Sequence, residues 1–127
     1  MKAKWLDRTL ILSPVYYTLC TSEKTLAIEL KRIKLKRDLV KTIDTGATTT
    51  FFCNDDGETM AIVCLFNHKY DIEQINAILA HEAVHIWQDI RGLIGEKNPS
   101  AEFEAYSIQK ITQELLYEYK RQRGRKK

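Results

Sequence analysis

The chain has 127 residues, of which 44% are hydrophobic and 29% are charged, and its formal net charge is +3. This length and composition are typical of one globular domain with a modest core, and they exclude a disordered, collagenous or disulfide-stapled chain. The three cysteines are odd in number and scattered, and no apolar stretch is long enough to cross a bilayer, so a reduced, cytoplasmic setting is expected.

The N-terminal third is predicted to be helical. The Ser-Pro pair at 13–14 can start a short helix through 15–19, and Ser22 can cap a second helix whose apolar residues recur at helical spacing. The other faces of this second helix, within 24–37, are rich in lysine and arginine. Such faces are usually solvated, although a basic binding surface is the alternative.

Between 47 and 67 the pattern changes to that of β-strands. Residues 48–53 are rich in threonine and phenylalanine, 54–57 form a turn cluster, and 60–66 are a second apolar run. These features predict a β-hairpin or part of a small antiparallel sheet.

Within the next segment, 71–92, one helix of about 19 residues is predicted, judged by the length of its helical pattern. Asp71 and Gln74 have the spacing of a capping box, and Gly92 suits a left-handed C-cap. Within this helix lies the sequence His-Glu-Ala-Val-His at 81–85. Its two imidazoles share one helix face and can reach a single ion, with the glutamate a little to the side.

This spacing indicates zinc chemistry. Neutral imidazoles of His81 and His85 can hold Zn²⁺, an open position can keep a water, and Glu82 can act as the general base that activates this water for attack on a carbonyl. The sequence therefore predicts a zinc-dependent peptidase with His81 and His85 as metal ligands and Glu82 as the catalytic residue.

A third ligand is expected from the following helix, which is predicted to start with Asn98 as N-cap and Pro99 at its first position. Two glutamates are available there, Glu102 and Glu104. One stripe of this helix is charged and is predicted to face solvent: Lys110, Glu114 and Glu118. Glu102 lies on an uncharged flank and Glu104 nearer the charged stripe, so Glu102 is favoured and Glu104 is the alternative.

The pairing of His81-Glu82-x-x-His85 with a later Glu-x-x-Ala resembles the gluzincin metallopeptidases, in particular their small single-domain members. The resemblance covers roughly 46–119. It implies Zn²⁺ as the cofactor, with Glu102 as the third ligand. Tyr106 stands where many members carry an aspartate that orients a zinc histidine.

The same resemblance implies an α+β, zincin-like fold, in which N-terminal helices and a small antiparallel sheet precede the motif helix and the glutamate-bearing helix. It also implies that a sheet edge, either the 59–67 strand or its neighbour, binds an extended substrate. A hairpin that merely covers the helix is the alternative. The stretch 81–109 is in addition similar to small phage and prophage proteins, which implies the cytoplasm of a bacterial host cell.

The sequence as a whole predicts one zincin-like domain over 1–119 and a basic, disordered tail over 120–127. The tail could contact nucleic-acid phosphates weakly. The preferred partner is a peptide or protein substrate, and no membrane is expected. Two other functions remain open: a catalytically silent zincin-fold binding or assembly module of phage origin, and a nucleic-acid-binding accessory protein that uses the 24–37 helix and the tail.

Overall fold

The computed structural model describes residues 2–6, 14–43, 45–53 and 56–124. Ser13, Asn54, Asp55 and the tail residues 125–127, all used in the sequence predictions, lie outside these ranges. The regular elements are β1 (Val15–Cys20), α1 (Glu23–Ile33), a single 3-10 turn (Arg37–Leu39), β2 (Thr48–Cys53), β3 (Thr59–Cys64), α2 (Ile72–Leu93) and α3 (Ala101–Gly124). The α+β class is thereby confirmed.

The strands form one mixed sheet in the order β1-β3-β2. β2 and β3 form the predicted antiparallel hairpin, with Thr48 opposite Cys64 and Cys53 opposite Thr59. β1 pairs in parallel with β3, so the prediction of a purely antiparallel sheet is wrong. Parallel strands need a crossover connection, and α1 lies in the connection here. β3 is therefore the central strand, and β2 is an edge strand.

The predicted helix over 15–19 is wrong, because this segment is strand β1. Its sequence is Val-Tyr-Tyr-Thr-Leu-Cys, and β-branched and aromatic residues favour a strand packed against neighbours. Val15, Tyr17 and Leu19 pack in one core and Cys20 in another, so the strand is covered on both faces. A Ser-Pro pair is only a local signal, and pairing with β3 outweighs it. α1 is accordingly the one α-helix found among the described residues ahead of the hairpin.

The sheet separates two apolar cores. Helices α2 and α3 pack on one face of it and α1 packs on the other. Successive side chains of a strand point to opposite faces, and in β3 Ala61 and Val63 join the α2–α3 core whereas Ile62 and Cys64 join the α1 core. This layering holds α2 firmly against the sheet along one side and leaves its other side to solvent.

Helix α2 begins as predicted and ends later than predicted. The Asp71 side chain accepts a hydrogen bond from the Gln74 backbone, and Gln74 reciprocates, which confirms the capping box. The left-handed residue after the helix is Gly95, at φ +76°, and not Gly92. The backbone N–H groups of Gly95 and Glu96 donate to the carbonyls of Gly92 and Arg91, which is a Schellman arrangement.

Helix α3 starts after Ser100, whose hydroxyl accepts a hydrogen bond from the Phe103 backbone, so the prediction of Asn98 as N-cap is wrong. The helix continues through Gly124 and so includes Lys120, where the sequence placed the start of the basic tail. A buried hydrogen bond holds this last part of the helix in place, because the amide of Gln122 donates to the Leu19 carbonyl. Among the described helices, none combines the length and the apolar composition that crossing a membrane requires.

The solvent-facing stripe predicted for α3 is incorrect. Glu118 is only 2% exposed, and Lys110 and Glu114 are half-buried and paired with each other at 2.9 Å. The face that packs inward consists of Ser107, Ile111, Leu115, Glu118 and Gln122. Apolar residues are too sparse on this helix for their periodicity to indicate its inner face. The positions of charged residues alone therefore predict the wrong solvent-facing side.

Candidate metal centre

The two histidines of the motif lie side by side on the exposed face of α2. The Nε2 atom of His85 is 3.2 Å from the Nε2 atom of His81, and the two rings meet edge to face with centroids 4.8 Å apart. Two nitrogens that bind one tetrahedral zinc ion at about 2.0–2.1 Å lie about 3.3–3.4 Å from each other. The observed separation therefore fits two ligands of one ion, and it also fits a hydrogen bond between the rings.

The second ring nitrogen of His85 has its own partner. Nδ1 lies 3.3 Å from Oε1 of Gln88, one turn further along α2. A carbonyl oxygen of an amide side chain only accepts, so this contact favours a proton on Nδ1 and leaves the lone pair on Nε2. A hydrogen bond of this kind to the distal nitrogen is how metal-binding histidines are commonly oriented.

Glu82 lies beside the histidines but turns inward, and it is only 4% exposed. The hydroxyl of Thr49, on edge strand β2, donates to its Oε1 at 2.6 Å. A buried carboxylate without partners would be costly, so this hydrogen bond holds Glu82 in place. Sequence reasoning missed Thr49. Side chains two residues apart along a strand lie on the same face of a sheet. Ala47 and Phe51, two residues before and two residues after Thr49, both face the α2–α3 core, so this alternation could have indicated that Thr49 faces α2 as well.

A groove of about 370 Å³ opens next to this glutamate. One wall is the loop 45–47, and the other wall is α2 from Ala77 to Glu82, including His81. The loop is held by a hydrogen bond from the Gly46 backbone to the Tyr70 hydroxyl, at 2.8 Å. The loop wall of the groove leads into β2, which is an edge strand of the sheet among the described residues. The 59–67 strand is central, so the edge strand beside this groove is its neighbour β2.

Among the described residues, the structure does not bring a third ligand to the histidines. Glu102, the predicted ligand, is exposed on α3, as is Tyr106. Glu104 lies on the packed side, where its Oε2 accepts a hydrogen bond of 2.8 Å from Nε1 of Trp87. Within the described part of the chain, no three histidine, cysteine, aspartate or glutamate side chains are close enough to hold one ion.

Comparison of the chain with protein-family models, with curated proteins and with solved structures gave no match. The resemblance to gluzincins and to phage proteins therefore stays a prediction from the motif. What the protein does has to be inferred from its own residues, above all from the histidine pair and the buried glutamate beside it.

Proposed function

We propose that the protein is a zinc-dependent metallopeptidase of the gluzincin type. The observation that carries the proposal is the approach of the His81 and His85 Nε2 atoms to 3.2 Å on an open helix face, beside the buried carboxylate of Glu82. Two ligands that converge next to a groove suit a catalytic site, because such a site keeps one position open. The resemblance to phage and prophage proteins extends the proposal to an origin in a phage or prophage and to the cytoplasm of a bacterial host cell.

A zinc ion bound there would supply a water of lowered pKa and would polarise the substrate carbonyl. The protein's own contribution is the handling of the proton. Because the Thr49 hydroxyl occupies Oε1 of Glu82, the other oxygen, Oε2, is the one that takes a proton from the attacking water and passes it to the leaving amine. Burial of Glu82 strengthens its interactions with charge that develops in the groove.

Glu104 is the better candidate for the third ligand, and Glu102 becomes the alternative. Glu104 lies on the face of α3 that packs against α2, whereas Glu102 is exposed. The Trp87 indole already orients one oxygen of Glu104, which leaves the other oxygen for the ion. Metal binding would have to draw this carboxylate towards His81 and His85.

The groove and the edge strand suggest the class of substrate. An extended peptide can add to β2 through backbone hydrogen bonds and run along the groove. Ala47, Ala77 and Ile78 give the groove an apolar wall. We therefore expect a peptide or protein substrate with a small or medium apolar side chain next to the cleaved bond.

Metal content tests the ligand set. Purified protein should contain one zinc ion per chain, and Glu104→Ala should weaken zinc binding at least about 100-fold, since even partners of ligands change affinity about 10- to 100-fold. Glu102→Ala is the matched control on the same helix and should keep the metal. Zinc lost with Glu102→Ala and kept with Glu104→Ala would reverse this choice. Zinc kept in a His81→Ala/His85→Ala variant would contradict the site itself.

Turnover tests the chemistry. Glu82→Gln should retain zinc and lose about 10²- to 10⁴-fold in the rate of cleavage of a peptide library, because it removes the general base. Equal rates in the two proteins would contradict the assigned role of Glu82. Tight zinc binding with no cleavage of any peptide would favour a catalytically silent binding or assembly module.

A further inference from the structure

A second concave site lies away from the histidines, where the N-terminal segment meets the ends of two helices. It is a cavity of about 400 Å³ lined by Lys2, Ala3, Lys4, Trp5, Arg32 and Arg121. Arg32 lies near the end of α1 and Arg121 near the end of α3. We propose that this basic cavity binds single-stranded nucleic acid, independently of any metal.

The cationic groups of the cavity lie at its surface, and their anionic partners are buried. Arg32 pairs with Glu29 at 3.0 Å and Arg121 pairs with Glu118 at 2.7 Å. Both carboxylates are buried beneath the cavity, whereas the side chains of Arg32 and Arg121 remain 50% and 30% exposed. Lys2 and Lys4 add two further exposed cations. Four cations therefore face outward over two buried anions, and a phosphate chain would meet a positive surface.

The cavity is held in shape by the same two glutamates. Glu29 accepts a hydrogen bond from the Ala3 backbone, and Glu118 accepts one from the Lys4 backbone. Arg121 in turn donates to the Lys2 carbonyl at 2.7 Å. Residues from both ends of the described chain are thus fixed next to α1. Binding to a preformed site avoids the entropy cost of ordering it.

Trp5 gives the site an aromatic surface. Its indole N–H donates to Oε1 of Glu29 at 2.8 Å, which fixes the ring. Trp5 and Arg32 also line a neighbouring cavity of about 280 Å³, whose lining includes Tyr16 and Glu58. The two cavities share Trp5 and Arg32, so cations and aromatic rings line neighbouring parts of one surface. Single-strand binders combine these features, because phosphates contact the cations while unpaired bases stack on the rings. Bases in a duplex are already stacked, so a single strand fits better.

Anisotropy of fluorescent oligothymidylate and oligouridylate, measured with full-length protein in EDTA, tests the proposal. If each of the four cations neutralises one phosphate, the slope of log K against log salt is about −2.8, so affinity should fall about 50-fold between about 50 and about 200 mM salt. Lys2→Gln/Lys4→Gln removes two contacts, and its affinity should fall only about 7-fold over the same range. The matched control is Lys69→Gln/Lys97→Gln, which removes two exposed lysines elsewhere and should behave as the wild type.

Intrinsic fluorescence tests the stacking separately. The chain has two tryptophans, and Trp87 is only 1% exposed, so quenching by an oligonucleotide should come from Trp5. Trp5→Phe should abolish the quenching and retain the salt dependence. Equal weakening by the two lysine pairs, or no binding at about 50 mM salt, where phosphate contacts are strongest, would overturn the proposal. Binding to phosphatidylserine vesicles without binding to either oligonucleotide would overturn it in favour of a lipid surface.

Discussion

Replacing Thr49 by valine removes one hydroxyl from the proposed active site and changes little else. Valine has nearly the same shape as threonine and is at least as favourable in a strand, so neither a cavity nor strand propensity contributes. The hydroxyl donates to Oε1 of Glu82 at 2.6 Å, and Glu82 is only 4% exposed. The substitution therefore leaves a buried carboxylate oxygen without this donor.

Hydrogen bonds to charged groups contribute about 1.5–3 kcal/mol, and this is the loss we expect in the free energy of unfolding of Thr49→Val at neutral pH. For a domain of this length, such a loss corresponds to a fall in Tm of about 5–12 °C. The loss should depend on Glu82. With Glu82→Leu in place, the same change at Thr49 should cost close to nothing, because the acceptor is gone.

Urea unfolding followed by circular dichroism measures all four proteins of this double-mutant cycle. Thr50→Val is the matched control on the same strand. In the described part of the chain, the Thr50 hydroxyl accepts a long, exposed hydrogen bond of 3.4 Å from the Lys41 backbone, so its loss should cost less than about 0.5 kcal/mol. Equal stabilities of Thr49→Val and Thr50→Val, or no coupling between Thr49 and Glu82, would refute the reasoning.

Two further predictions concern the end of α2 and the cysteines. Gly92→Ala should raise the free energy of unfolding by up to about 1 kcal/mol, because Gly92 is helical. Gly95→Ala should lower it by about 1 kcal/mol, because Gly95 has φ +76°. If urea unfolding shows that Gly92→Ala destabilises the protein and Gly95→Ala stabilises it, Gly92 would be restored as the C-cap. Burial raises the pKa of the Cys64 thiol to about 12 and raises that of Cys20 as well. Exposed Cys53 should therefore react with a disulfide reagent in the native protein, and Cys20 and Cys64 only after unfolding; rapid reaction of three thiols would contradict this.

The parts of the fold that depend on local signals could be predicted from the sequence. The capping box at Asp71 and Gln74 and the hairpin of β2 and β3 are set by residues close together in the chain, and both are found. β1 could not be predicted in this way. Its strand conformation comes from parallel pairing with β3, more than 40 residues later in the register Val15 to Thr59, and no local pattern in 15–19 reports such a partner.

The candidate site likewise has one part that local sequence spacing predicts and another part that it does not. The spacing of His81 and His85 determines that they share a helix face, and their nitrogens do meet. The face that α3 turns towards α2 depends instead on buried polar residues. Glu118 and Gln122 are buried and hold the N-terminal segment and β1, through the Lys4 backbone N–H and the Leu19 carbonyl. An assignment of the solvent-facing side from charge therefore favoured Glu102, whereas the side chain of Glu104 is the one that contacts α2, through Trp87.

Strand β2 connects the two halves of the proposed site. Its side chains alternate between the faces of the sheet, while its backbone forms an edge of the described sheet, so Thr49 can hold Glu82 while the same strand pairs with a peptide. Pairing would restrain the strand that positions the base. Binding energy gained far from the cleaved bond would then act on the chemical step. It follows from the proposed function that peptides too short to pair with β2 should lose kcat as well as affinity.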